Sequence, residues 1–84
     1  MRRRARVDRN HTEIVSGLRA QGYLVLSLAS LGQGVPDLLI CDTSGALRLV
    51  EVKATHGQLT PDQQAFMAQG WPVTVARTVE DVCG

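Results

Sequence analysis

Only two cysteines and three aromatic residues occur among the 84 residues, and the formal net charge is +1. Cys41 and Cys83 have no metal-ligand spacing, and two unpatterned thiols suit a reducing compartment. Tyr23, Phe66 and Trp71 are too scattered to read as a base-stacking platform; core or dimer contacts suit them better. No apolar run is long enough to cross a bilayer. The arginine-rich start leads into no apolar stretch, so it does not read as a secretory leader, and a cytoplasmic location is the expectation. Repeats and low-complexity tracts are missing too. What remains is a chain 44% apolar, enough for one folded domain near the lower size limit of a hydrophobic core.

Charge is unevenly placed. Arg2, Arg3, Arg4, Arg6 and Arg9 fall in the first nine residues, beside a single acid, Asp8. Residues 1–9 are either a solvated terminus or a basic arm for a phosphate backbone. The folded domain is expected over 10–84. Its first helix runs from about Asn10 to Ala20, with Asn10 as cap, Glu13 completing a capping box and Gly22 closing it. On the helical wheel His11 falls within the apolar cluster of Ile14, Val15 and Leu18, and Glu13 points away from it.

Tyr23 to Leu28 reads as a largely buried strand. Ala29 to Pro36 is a loop in which Pro36 forces Val35 to be extended. Strands over Asp37–Cys41 and Ala46–Lys53 are joined by the turn Asp42-Thr43-Ser44-Gly45 as a hairpin. Thr60 caps a second helix, with Pro61 at its first position and Gln63 able to close a capping box; Phe66 and Met67 point inward and Gly70 ends it. Val73–Ala76 is a fourth strand, parallel to the third, and Thr78 caps a last short helix from Val79. The fold class is α/β, in the order helix, three strands, helix, strand, helix, with a four-stranded mixed sheet flanked by helices.

The chemistry sits at one end of that sheet. Alternation puts Leu47, Leu49, Glu51 and Lys53 on one face of the third strand, with Glu51 and Lys53 roughly 7 Å apart. A strand apolar on both faces is usually covered on both, and uncompensated charges there cost several kcal/mol each. Asp37, opening the neighbouring strand, is the third charge. Two carboxylates with the Val52 carbonyl suit Mg²⁺, which takes oxygen ligands and keeps several waters. Lys53 can then orient the attacking water or stabilise the developing oxyanion in phosphodiester hydrolysis. The plain alternative is an exposed Glu51–Lys53 pair and an Asp37 that only caps its loop.

Gly34-Val35-Pro36-Asp37, thirteen intervening residues and Glu51-Val52-Lys53 resemble the PD-(D/E)XK nuclease superfamily. More closely, the chain is similar to the VRR-NUC family in its small stand-alone form from phages and bacteria. The likeness runs from Asn10 to Val82 and takes in Glu13-Ile14-Val15, Leu18-Arg19 and Leu59-Thr60-Pro61-Asp62-Gln63. It implies the restriction-endonuclease-like core. It also implies a Mg²⁺- or Mn²⁺-dependent DNA endonuclease, with Asp37 and Glu51 as metal ligands, Lys53 as the catalytic lysine and Gln63 at the family's site glutamine. Stand-alone members imply a homodimer acting on branched DNA such as Holliday junctions; fused members act on flaps and ends.

There is one departure. Related nucleases place a metal-binding or water-holding glutamate on the first helix where this chain has His11. Either His11 substitutes, directly or through a water, or the site is one carboxylate short; Glu13 is the lesser candidate. His56 and Gln58 follow Lys53 in a loop where solvation is the plainer role, and the backbone of Gln33 and Gly34 can approach a phosphate. A DNA-binding module that keeps this fold without cutting is the rival reading.

Overall fold

The computed structural model of the chain describes residues 9–84. The basic arm over residues 1–8 lies outside them, and Arg9 opens the first helix, α1 (Arg9–Ala20). Ile14 and Leu18, one turn apart, are fully buried on its inner face. Its end is closed as expected: Gly22 takes φ 93°, Tyr23 N–H donates to Leu18 O and Gly22 N–H to Arg19 O, each at 3.0 Å. Its start differs from the expectation. Because the helix begins at Arg9, Asn10 is not its cap, and the side chain is used elsewhere.

Four strands follow: β1 (Leu24–Ser27), β2 (Leu38–Cys41), β3 (Leu47–Val52) and β4 (Val73–Ala76). They lie in sequence order across one sheet; β1–β2 and β2–β3 are antiparallel, β3–β4 parallel. The parallel pair is joined through α2 (Pro61–Ala68), and α3 (Glu80–Cys83) follows β4. This is the expected mixed sheet with flanking helices.

The register decides which side chains share a face. Leu38, Val50 and Ile40 sit on one side with Val52 and Ala76, and there they meet Ile14 and Leu18 of α1 and Val82 of α3. That is the core. The expectation that the strands are covered on both faces, with β1 largely buried, is corrected here. Leu24 is 72% exposed, Leu26 57% and Leu47 65%, all on the opposite face. The reason is where the helices go. α1 and α3 pack on the core side, whereas α2 buries no residue and meets the sheet at the Glu51 end.

The loop before β2 is held against α2. Gly34 has φ 82°, and a Cβ at that position would run into the Asp62 carbonyl. Gly34→Ala adds left-handed backbone strain to a backbone clash, about 2 kcal/mol or more. The melting temperature is expected to fall by roughly 10 °C. A calorimetric melt unchanged by this substitution would mean that loop and helix part freely.

Candidate metal centre

Residues flanking the Pro36-Asp37 step and the end of β3 build the site. Continuing the β2–β3 register by two places Pro36 opposite Val52. Proline has no N–H to give, so the ladder has no donor for the Val52 carbonyl there. Asp37 Oδ2 accepts the Val52 N–H at 2.9 Å instead, and the Asp37 carbonyl accepts from Leu28 N–H at 2.7 Å. Pro36 is buried and Asp37 half-buried, so the carboxylate is held at the sheet end with one side already committed.

Glu51 is 3% exposed and the one buried charged residue among those described. Its Oε2 accepts from Gln63 Nε2 at 2.9 Å and lies 3.8 Å from Lys53 Nζ. Burial, and then the negative charge of Asp37, push the Glu51 carboxyl up from 4.5 to about 7, against the opposing pull of Lys53. Two carboxylates and an ammonium therefore converge as the alternation of β3 and the position of Asp37 led one to expect. The plain alternative of an exposed ion pair does not hold, since both side chains of the pair are largely covered.

Gln63 serves two purposes at once. Thr60 Oγ1 accepts from Gln63 N–H at 3.2 Å and Gln63 Oε1 accepts from Thr60 N–H at 2.9 Å, the expected capping box. With Oε1 engaged by the cap, the amide nitrogen is fixed as the donor toward Glu51. A helix start thus orients a site residue.

Two contacts were not legible in the sequence. Asn10 Nδ2 donates to the Lys53 carbonyl at 2.7 Å, tying the first turn of α1 to the residue carrying the ammonium. Nothing local signals a pairing across 43 positions. Arg77 donates from Nε to Thr55 O (3.2 Å) and from Nη2 to Gly57 O (2.6 Å), clamping the loop that carries His56. Asp81 in turn accepts from the Arg77 and Thr78 N–H groups, which lowers its pKa. Thr78 is therefore not the side-chain cap of α3; Asp81 of the helix itself binds the N–H groups that precede it.

His11 is half-buried on α1 and Glu13 exposed. Among the described residues, neither has a hydrogen bond to Asp37, Glu51 or Lys53, and His56 is exposed in its loop. No group of three or more His, Cys, Asp or Glu is gathered among them as a ready-made cage. A Mg²⁺-like ion does not need one, because one or two carboxylates plus carbonyl, water and substrate oxygens suffice. The donor set of Asp37, Glu51 and the Val52 carbonyl is all oxygen, and Glu51 is a buried acid beside a second one. These residues fit a hard divalent cation.

The VRR-NUC domain model matches residues 5–79. The chain belongs to the VRR-NUC family. A solved structure titled "VRR_NUC domain" is similar over 89% of this chain and 87% of its own, with 29% identity and a TM-score of 0.64. The comparison with curated proteins gave no match. The fold and the PD-(D/E)XK placement agree with that family, whose domains are nucleases that generally use divalent metals. In this VRR-NUC domain Asp37, Glu51 and Lys53 stand at the positions of the superfamily motif.

Proposed function

We propose that this VRR-NUC domain is a Mg²⁺- or Mn²⁺-dependent DNA endonuclease that hydrolyses phosphodiester bonds in branched DNA such as Holliday junctions, as a homodimer in the cytoplasm. The observation that carries the reading is the convergence of the Asp37 and Glu51 carboxylates with the Lys53 ammonium at the end of β3. Asp37, Glu51 and the Val52 carbonyl hold the ion. His11 completes the set through a water; its support is Asn10, the preceding residue, bonded to the Lys53 carbonyl. The free thiols Cys41 and Cys83 accord with a reducing compartment.

A bound divalent ion supplies positive charge to the scissile phosphate and to the attacking water. The protein's own groups do the rest. Gln63 fixes the Glu51 carboxylate through Nε2, so the acid need not reorganise during reaction. Lys53, on the same oxygen, has two further N–H donors to hold the water in line or to stabilise charge on the phosphoryl oxygens. Asp37 holds the Val52 N–H and so keeps the β3 end, with its carbonyl, in place. Two copies would supply one site for each of two strands.

A panel of fluorescent duplex, flap and four-way junction substrates, each with Mg²⁺, Mn²⁺ or EDTA, tests this. Cutting is expected on the junction with either metal and none with EDTA. Retained binding without cutting in any metal would establish the non-cutting module instead.

A further inference from the structure

The face of the sheet turned away from the core has no cover among the described residues. Leu24, Leu26, Leu47 and Trp71 stand out of it, with Leu39 and Leu49 between them. Two adjoining hollows, of about 420 and 170 Å³, share Leu39 and Leu47 in their walls. The four protruding side chains and their neighbours bare on the order of 500 Å² of apolar surface. A standard interface takes about 800 Å² per partner, some 60% of it apolar, so the patch supplies the apolar part of one such interface.

We propose that this face, centred on Leu47, is where two copies of the chain pair. The chemistry of the patch selects that partner. Arg48 is the one charged residue lining the hollows, and its guanidinium donates to the Val82 carbonyl at 2.9 Å. A face with no free cation does not suit a nucleic-acid backbone. The basic arm, with Met1, Ala5 and Val7 as its only apolar residues before Arg9, is a poor cover for it. A second copy brings an equally apolar, self-complementary surface, as a two-fold interface requires. Asp37, Glu51, Lys53 and Gln63 line neither hollow, so pairing leaves the carboxylate site open. The inference stands on this face and not on the chemistry of cleavage.

Sedimentation of the 84-residue chain without metal or DNA, at micromolar concentrations, is expected to give the mass of two chains. Trp71 is the only tryptophan and is 50% exposed, so its emission should shift to the blue with concentration, in step with the mass. Leu24→Lys with Leu47→Lys is expected to weaken pairing roughly a hundredfold with an unchanged circular-dichroism spectrum. Leu24→Thr with Leu47→Thr, neutral and suited to strands, gives the same direction of change should lysine disturb the sheet. Glu51→Gln should pair like the natural chain. A single-chain mass throughout, or pairing equally tight in both double variants, overturns the proposal. Cutting by a monomer would sink the pairing alone, and an intact dimer that never cuts would sink the nuclease reading alone.

Discussion

Lys53→Ala is expected to slow junction cleavage by roughly 10²–10³-fold while leaving DNA affinity within a few-fold, the effect of removing one preorganised donor from a developing charge. The ammonium lies 3.8 Å from Glu51 Oε2 and its side chain is 15% exposed, so it acts from a fixed and largely dry position. Its loss has a second consequence. Lys53 pulls the Glu51 pKa down against burial, so without it the carboxyl moves further above about 7 and metal binding needs a higher pH. Single-turnover rates at two pH values separate the effects. Metal affinity should recover at the higher pH, and the rate should not. Full recovery of the rate would make Lys53 a counter-charge for Glu51 and nothing more. Lys53→Arg keeps the charge but exchanges a compact ammonium for a planar fork, and only partial rescue is expected.

Glu51→Gln should have opposite effects on stability and function. The unfolded carboxyl loses its proton near 4.5, the folded one near 7. Between those values the folded chain binds the extra proton, so in the absence of metal stability falls as pH rises through this window. Stabilisation from the protonated acid is full below 4.5 and gone above about 7, a difference on the order of 3 kcal/mol. The neutral amide carries no such penalty. At pH 8 without metal, Glu51→Gln should therefore melt higher than the natural chain, on the order of 10 °C, and near pH 4 the two should melt together. The same variant should lose cleavage. Equal melts at pH 8 would show that this acid carries no burial cost.

The parts of this site that were legible in the sequence are those set by local periodicity. Alternation along β3 put Glu51 and Lys53 on one face, and Thr60-Pro61-Asp62-Gln63 spelled a capping box that the structure contains. The bond from Gln63 to Glu51 was beyond that logic, because it depends on where α2 meets the sheet. Asn10 misled for the same reason. A cap and a long-range donor look alike in sequence, and the choice was made by the carbonyl of Lys53, 43 residues away. Alternating leucines in β1 and β3 likewise could not say which face would be covered. Both packed helices went to one side, and Leu24, Leu26 and Leu47 were left on the other.

The central claim is that Asp37 and Glu51 grip a divalent ion. Mn²⁺ binding to the DNA-free protein at pH 8, followed by calorimetry, tests it most directly. Saturable binding is expected in the natural chain and in Lys53→Ala, and its loss in Asp37→Asn and Glu51→Gln. Binding unchanged in both carboxylate variants would contradict the account.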